Sequence, residues 1–480
     1  MSTVSRNSLK RSLLELECHF TWTLLKQDAD LDSLEKRIEN RTEFFTKNNV
    51  SNYNLLAYVC HLKNSNEEAL RNLQKAEEEI KKNHPDEIPR RSLVTWGNYA
   101  WIYYHMENYE EAHTYASKVG NSCKKLSSTA EWKSEFPEIC AEKGWALLAF
   151  GRKYYERAKN SFENALKNDL NNPEFNAGYA IAMYRLEELS YRENNDVSLS
   201  LNPLKRAVEL NPTDTSIIAL LALKLQTLNR AVEGERYIEE AMQKTPDLPY
   251  LLRYAAKFYR RKGEMDKALE ILKKALAVTP ESAFLHHQLG LCYRGKLLQL
   301  KRATRYPPEE QVKELIRLAT FHFKTATVEK KEFFAAFMDL ANMYTEEKRY
   351  EEAEETFQKA IQIHILFDDD KQEFCYHYGN FQRFHRKSES EAIRYYLKGL
   401  KIENDSYARK RCGYGLKKLL EQRIKRCSED ATDFGTLGFI HNLYGEKHEA
   451  IECYEKALEL CPDSEDYLSA LCELRLSISS

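Results

Sequence analysis

The sequence predicts an all-α protein, a superhelical solenoid of about nine helix pairs with extra helices added to it. Three observations predict this class. One pattern of small and large apolar residues returns with the same internal spacing along most of the 480 residues. Apolar residues make up 42% and charged residues 30%, the balance of a chain with a real core. Glycine (16) and proline (12) are scarce, which excludes extensive disorder and collagen-like structure.

The repeat is clearest near the C-terminus, as Phe434-x2-Leu437-Gly438-x2-His441 followed by Ala450-x3-Tyr454-x2-Ala457-x4-Pro462. The same spacing gives Leu252, Ala255, Ala256 and Tyr259 followed by Ala268, Leu272, Ala275 and Pro280. It returns as Phe337, Leu340, Ala341 and Tyr344 with Ala353, Phe357 and Ala360, and as Trp96, Tyr99, Ala100 and Tyr103 with Ala112. Weaker copies begin near Tyr53, Glu142, Ile218, His286 and Tyr376. This spacing is that of the tetratricopeptide repeat, two antiparallel helices in a unit of about 34 residues. The small residues let the helices approach, and the large ones fill the gap against the next unit.

Three segments depart from the period. "ELSYRENNDVSLSLNP" (188–203) extends a loop, and "GKLLQLKRATRYPPEEQVKELI" (295–316) lengthens a helix pair or inserts between its members. In the N-terminal 50 residues, "CHFTWTLL" and "LDSLEKRIENRTEFF" read as extra helices. Such additions suit a solenoid closed around a ligand. The expected organisation is 1–135 for the N-terminal helices and first repeats, 136–285 for central repeats carrying a pocket, and 286–480 for C-terminal repeats.

Lys+Arg (72) and Asp+Glu (74) nearly cancel, for a net charge of −2. A broad basic surface for coating nucleic acid is therefore excluded, and any anion site must be local and enclosed. The eleven cysteines include no CxxC pair, and the start has no apolar signal region. No apolar run reaches the length of a membrane span. Reduced thiols, a cytoplasmic location and no membrane partner are expected. Phosphate loops, HExxH, DFG and GxSxG motifs and zinc spacings are all missing, so no enzyme is expected. "HILFDDD" (364–370) reads as a solvated loop.

The stretch "YLLRYAAKFYRRKG" (250–263) combines two faces. At about 100° per residue, Leu252, Ala255, Ala256 and Tyr259 share the packing face. Tyr250, Arg253, Tyr254, Lys257, Arg260 and Arg261 lie opposite. In this repeat the first helix lines the concave surface, and its inward positions are Tyr250, Arg253, Lys257 and Arg260. The next repeat adds Phe284, His287, Gln288, Leu291 and Arg294, and the preceding region adds Arg185. Converging guanidinium groups call for phosphate or carboxylate, and interleaved rings offer faces for bases. From the residues alone, three readings stand: a solvated or salt-bridged face, a groove for acidic peptides, or a site for nucleic acid or another phosphate ligand.

The stretches "CHFTWTLL", "YNLLAYV", "RSLVTWGNYAWIYYHM", "EKGWALL", "GYAIAMYRL", "LRYAAKFYRRKG", "LHHQLGLCYR", "LANMY" and "ALCELRLSI" together resemble the interferon-induced proteins with tetratricopeptide repeats, the IFIT family. The resemblance covers essentially the whole chain and is nearest to a fifth-member type, with "LEKR" around Arg37 more like the first. It implies a cytoplasmic, non-catalytic antiviral effector of innate immunity. Such a protein holds the 5′ end of single-stranded RNA, bearing a triphosphate or an unmethylated cap, in a positively lined tunnel and keeps it from translation. The alternative is an adaptor for acidic peptide segments.

The resemblance further implies 5′-phosphate contacts from Arg37, Arg41, Arg185, Tyr250, Arg253, Tyr254, Arg260, His287 and Gln288. It implies RNA-lining or first-nucleotide roles for Trp145, Tyr155, Glu174, Phe284 and Phe333. A tunnel exit would fall on Lys417, Lys418, Arg423 and Arg426. The family's phosphate lysine is Ala149 here, with Arg152 or Lys153 as candidates to compensate. Where cap-binding members carry Asn and Tyr, this chain has Asp214 and Ser216. The acidic position that helps hold a metal in one member is Ser33 here, which weakens the case for Mg2+ with the triphosphate and leaves the metal unassigned; no cofactor is required. The implied partners are 5′-triphosphate or capped RNA, with no preference for DNA. Family-member or self-association and antiviral signalling or translation factors complete the implied partners.

Overall fold

The computed structural model describes residues 3–44, 49–126, 136–189, 198–364, 366–426 and 430–479. Among these residues all regular structure is helical, in 25 α-helices and a few short 3-10 or π turns. The chain forms two compact units, Met1–Tyr306 and Pro307–Ser480.

The N-terminal unit is a row of helical hairpins. Asn49–Leu62 packs on Asn66–Asn83, Leu93–His105 on Tyr109–Leu126, and Pro137–Phe150 on Tyr155–Asn168. Pro173–Leu189 packs on Leu201–Leu210, Thr215–Thr227 on Ala231–Lys244, and Pro249–Lys262 on Met265–Val278. Helix Ala283–Ala303 packs against the last of these hairpins. The C-terminal unit opens with Glu309–Glu329 and carries the hairpins Phe334–Glu346/Tyr350–Ile361, Asp368–Phe381/Glu389–Lys401 and Ala431–Leu443/Lys447–Leu460. Tyr407–Arg426 and Glu465–Ser479 complete it.

Packing explains the repeat. The fully buried Phe162 ring fills the space between two glycines on neighbouring helices. A Cβ would come within 2.7 Å of that ring at Gly144 and within 2.2 Å at Gly178. Small and large residues must therefore alternate between neighbouring units, which is the periodicity seen in the sequence. The hairpin at Pro173–Leu189 escaped the pattern, since its second helix spans only 10 residues. The segment 295–316 lengthens both of its helices, which run 21 residues each.

Three expectations are corrected. "CHFTWTLL" is not a helix but a run of turns whose backbone is claimed by side chains. The Thr21 hydroxyl accepts from Cys18 N (3.2 Å) and donates to Leu16 O, and Asn98 Oδ1 accepts from His19 N (3.2 Å). The helical part of the N-terminus is instead Thr3–Leu14, with Leu31–Phe44 as expected. The acidic run near 368 is the first turn of Asp368–Phe381, not a loop: Asp370 Oδ2 accepts from Phe367 N at 3.1 Å, favourable for a helix N-terminus. Residue 365 of that stretch, and 190–197 of the extended loop, lie outside the described residues. A boundary at 285/286 would cut helix Ala283–Ala303, whereas the compact units part at Tyr306/Pro307. The boundary at 135/136 lies at the edge of the described residues.

Candidate functional site

Helix Pro249–Lys262 starts with proline at its first position and ends at Gly263, whose φ of +92° needs a residue without Cβ. Leu252, Ala255, Ala256 and Tyr259 are buried against neighbouring helices, which fixes the rotation of the opposite face. On that face the Tyr254 hydroxyl is a hub. It accepts hydrogen bonds from Arg185 Nη2 at 2.9 Å and Arg253 Nη2 at 3.0 Å, and lies 3.0 Å from the Tyr250 hydroxyl. The Arg253 guanidinium is also caged by rings, 4.9 Å from the centroid of Tyr250, 4.8 Å from Tyr254 and 4.4 Å from Phe284. These aromatic faces, expected to stack bases, lie against an arginine here.

The N-terminal helix Leu31–Phe44 faces this cluster. Arg37 Nη2 donates to Ala149 O at 2.6 Å, and Lys36 reaches Glu281 at 3.7 Å. The helix therefore ties the third hairpin to the segment before Ala283–Ala303. Arg41 lies 5.8 Å from the Trp145 ring, which packs edge-on against Phe162. The Arg37 side chain retains contact with solvent. Burial, then Arg41, and further Arg253 and Arg185, nevertheless hold its pKa down to about 10. Burial also lowers Arg41. Arg185 is shifted the other way, chiefly by the Tyr254 phenol, with Tyr250, Tyr155 and Glu188 assisting. Burial alone would push the Tyr254 phenol up, but Arg185 and Arg253 bring it below the usual phenol range.

Among the described residues, none of Arg37, Arg41 and Arg253 pairs with a carboxylate. Clustered arginines in a recess with no acid beside them are unfavourable unless an anion joins them. Among the described residues, an acid that pairs with Arg185 is Glu188, which sequence reasoning missed. It pairs with Lys257 at 3.0 Å and Arg185 at 3.6 Å and accepts from Tyr184. Its position three residues after Arg185 was the available signal. Lys257, expected to face inward, is thereby neutralised.

Other expected residues fall as follows. Arg260 Nη2 donates to Gln288 Oε1 at 3.4 Å, and the buried His287 and Gln288 sit together on Ala283–Ala303. The Tyr155 phenol acts electrostatically on both Arg37 and Arg185. Glu174 lines a separate polar cavity of about 120 Å³ with Glu142, Glu138, His84 and Arg90. Phe333 stands at the start of helix Phe334–Glu346 in the C-terminal unit, with Lys330 at 5.9 Å from its ring. Lys153, a candidate to compensate for Ala149, is bound by Asp28 at 2.9 Å, which also accepts from the Tyr154 hydroxyl. Asp214 is used as the cap of helix Thr215–Thr227, accepting from Ser216 N and Ile217 N, while the buried Ser216 Oγ has no hydrogen-bond partner among the described residues. The expected tunnel exit is largely self-neutralised: Lys417 pairs with Glu446 (3.0 Å), Arg423 with Asp430 and Asp433 (3.1 and 2.9 Å), and Arg426 with Glu389 (2.7 Å). Lys418 faces elsewhere, into a cavity of the C-terminal unit.

Fold and site define a tetratricopeptide-repeat protein with a cluster of arginines and tyrosines gathered around the Tyr254 hydroxyl. Tetratricopeptide-repeat family models match residues 255–283, 334–363 and 435–464. The chain is 49% identical to human Protein IFIT1 homolog B, over 95% of this chain and 97% of that one. It is 48% identical to the human antiviral innate immune response effector IFIT1 (96% and 97% covered), and 40% identical to human interferon-induced protein with tetratricopeptide repeats 2 (96% and 97%). The structure of the human IFIT1 dimer with m7Gppp-AAAA matches with a TM-score of 0.87 at 48% identity, and that with PPP-AAAA with 0.85 at 47%; each match covers 95% of this chain and 100% of the other. The chain belongs to the family of interferon-induced proteins with tetratricopeptide repeats. The expected likeness to a fifth member has no counterpart among these relatives. No helix of the described residues is long and apolar enough to cross a membrane.

Proposed function

We propose that this chain is an innate-immune antiviral effector that holds the 5′-triphosphate end of single-stranded RNA, without base preference, and withholds it from translation. The observation that carries this reading is the recess in which Arg37, Arg41 and Arg253 meet no carboxylate while two arginines share the Tyr254 hydroxyl. A triphosphate supplies the missing negative charge; a 5′-hydroxyl does not. Charge-assisted hydrogen bonds are worth about 1.5–3 kcal/mol each, so several separate the two ends by orders of magnitude. The family relationship and the human IFIT1 complexes with PPP-AAAA and m7Gppp-AAAA support the ligand class. The relatives' names are those of effectors rather than enzymes. We assign the protein to the cytoplasm, with no resident cofactor, and take the human IFIT1 dimer as support for self-association.

Capped RNA is the second reading, favoured by Trp145 beside Arg41. The test compares one short single-stranded RNA carrying a 5′-triphosphate, cap or hydroxyl, on the wild type and on Arg253→Glu. The triphosphate form should bind tightest, and the variant should lose that preference. Equal binding of all three ends overturns the proposal, and selective capture of an acidic peptide would assign the groove to an adaptor instead.

A further inference from the structure

Where Arg37 and Arg41 stand depends on how helix Leu31–Phe44 is seated. The helix packs against Asn49–Leu62 and buries Leu34 and Ile38. Apolar burial is non-directional, so those two side chains alone would let the helix shift along its neighbour. Its first turn is tied to Asp30, whose Oδ1 accepts from Ser33 N at 3.2 Å. The seat is therefore decided by the strap of chain that leads into Asp30, residues 22–29.

Three residues of the third hairpin grip that strap: Lys153, Tyr154 and Arg157. The Tyr154 hydroxyl is the central grip. It accepts from Leu25 N at 3.1 Å and donates to Asp28 Oδ2 at 2.6 Å, so both of its hydrogen-bonding roles go to residues 129 and 126 positions away. Lys153 Nζ takes the other Asp28 oxygen at 2.9 Å. Arg157 Nη2 donates to Trp22 O at 2.5 Å and to Thr23 Oγ1 at 3.2 Å. Thr23 has a φ of +52°, a conformation that a β-branched residue keeps only where its surroundings hold it. The buried Tyr154 ring packs edge-on against Phe150, which leaves the strap as the work of its hydroxyl.

The same stretch of the hairpin reaches the arginine cluster. Ala149 O accepts from Arg37 Nη2, and the Tyr155 phenol acts electrostatically on Arg37 and Arg185. One turn of chain, 149–157, thus holds the strap and meets the guanidinium that the strap delivers.

We propose that Tyr154 is a positioning residue: through Leu25 and Asp28 it seats helix Leu31–Phe44 so that Arg37 stands at the arginine cluster. The consequence for binding rests on the RNA-end reading; the seating itself does not. Tyr154 touches no ligand in this scheme and acts through Arg37.

The test uses the full chain. Tyr154→Phe keeps the ring and removes the hydroxyl. Arg157→Met loosens the strap at Trp22 and Thr23, and carries the test should Tyr154→Phe not fold; a thermal melt checks both. Amide hydrogen exchange reads the seating without RNA. Amides of 31–44 should exchange at least about threefold faster in each variant, and those of 249–262 at the wild-type rate. Single-stranded RNA with a 5′-triphosphate should bind Tyr154→Phe about fivefold more weakly, and the same RNA with a 5′-hydroxyl as it binds the wild type. On an Arg37→Ala background the effect of Tyr154→Phe should shrink below about twofold. On an Arg260→Ala background it should stay at about fivefold, because distant, independent sites add and coupled ones do not. Wild-type exchange of 31–44 in both variants, or equal weakening on both backgrounds, overturns the proposal. A wild type that ignores the triphosphate defeats the RNA-end reading instead, and the exchange of 31–44 then decides the seating alone.

Discussion

The arginine recess of the N-terminal unit and the basic run Tyr414–Arg426 of the C-terminal unit look alike as strings of letters. In both, cations and tyrosines lie close together on a helix. Their surroundings separate them. Lys417, Arg423 and Arg426 each meet an acid at 2.7–3.1 Å. Among the described residues, Arg253 meets aromatic rings and a phenol, and Arg37 a backbone carbonyl, with no carboxylate paired to either. Local density of basic residues is therefore a poor guide to an anion site. What distinguishes one is the lack of a carboxylate where burial would otherwise demand it.

That contrast can be broken in several places. The largest effect is expected at Arg253→Glu, which removes a donor and adds a repelling charge: triphosphate RNA should bind at least about 100-fold more weakly in a fluorescence titration. Arg37→Ala should cost about tenfold, visible as a selective loss against triphosphate with hydroxyl RNA unaffected. Tyr254→Phe sharpens the comparison through pH. Below its lowered pKa the phenol is neutral and accepts the arginines; above it, a phenolate competes with the phosphates for the same cations. Wild-type affinity for triphosphate RNA should fall as pH rises from 7 to 9.5, and the phenylalanine variant should show a flatter profile. The smallest effects belong to Lys417→Met and Arg426→Met, whose partners are exposed: triphosphate affinity should stay within about twofold and stability within about 0.5 kcal/mol by denaturant titration. A tenfold loss at either position would erase the distinction between the two regions.

Much of this architecture was legible in the sequence because its causes are local. Alternation of small and large residues follows from rings such as Phe162 seated against glycines, so the repeats could be counted. The division of Pro249–Lys262 into a packing face and a cation-bearing face follows from helical geometry alone. The partners were illegible where they cross long stretches of chain. Arg185 meets Tyr254 69 residues away, Arg37 meets Ala149 112 away, and Asp28 takes Lys153 125 away. "CHFTWTLL" misled for the same reason, since Asn98, 79 residues distant, helps hold its turns open. Near Glu188 the information was present but unweighted, because an acid beside an arginine on one helix looks like an ordinary surface pair.

The shared Tyr254 hydroxyl also bears on how quickly the recess can fill. A resident carboxylate would have to be expelled, with its charge resolvated, before a phosphate could enter. A phenol need only release two hydrogen bonds while keeping its own proton. At Tyr254, loading thus requires no counter-ion to depart, so association should be governed by how often an RNA end arrives and dissociation by the grip of the arginines.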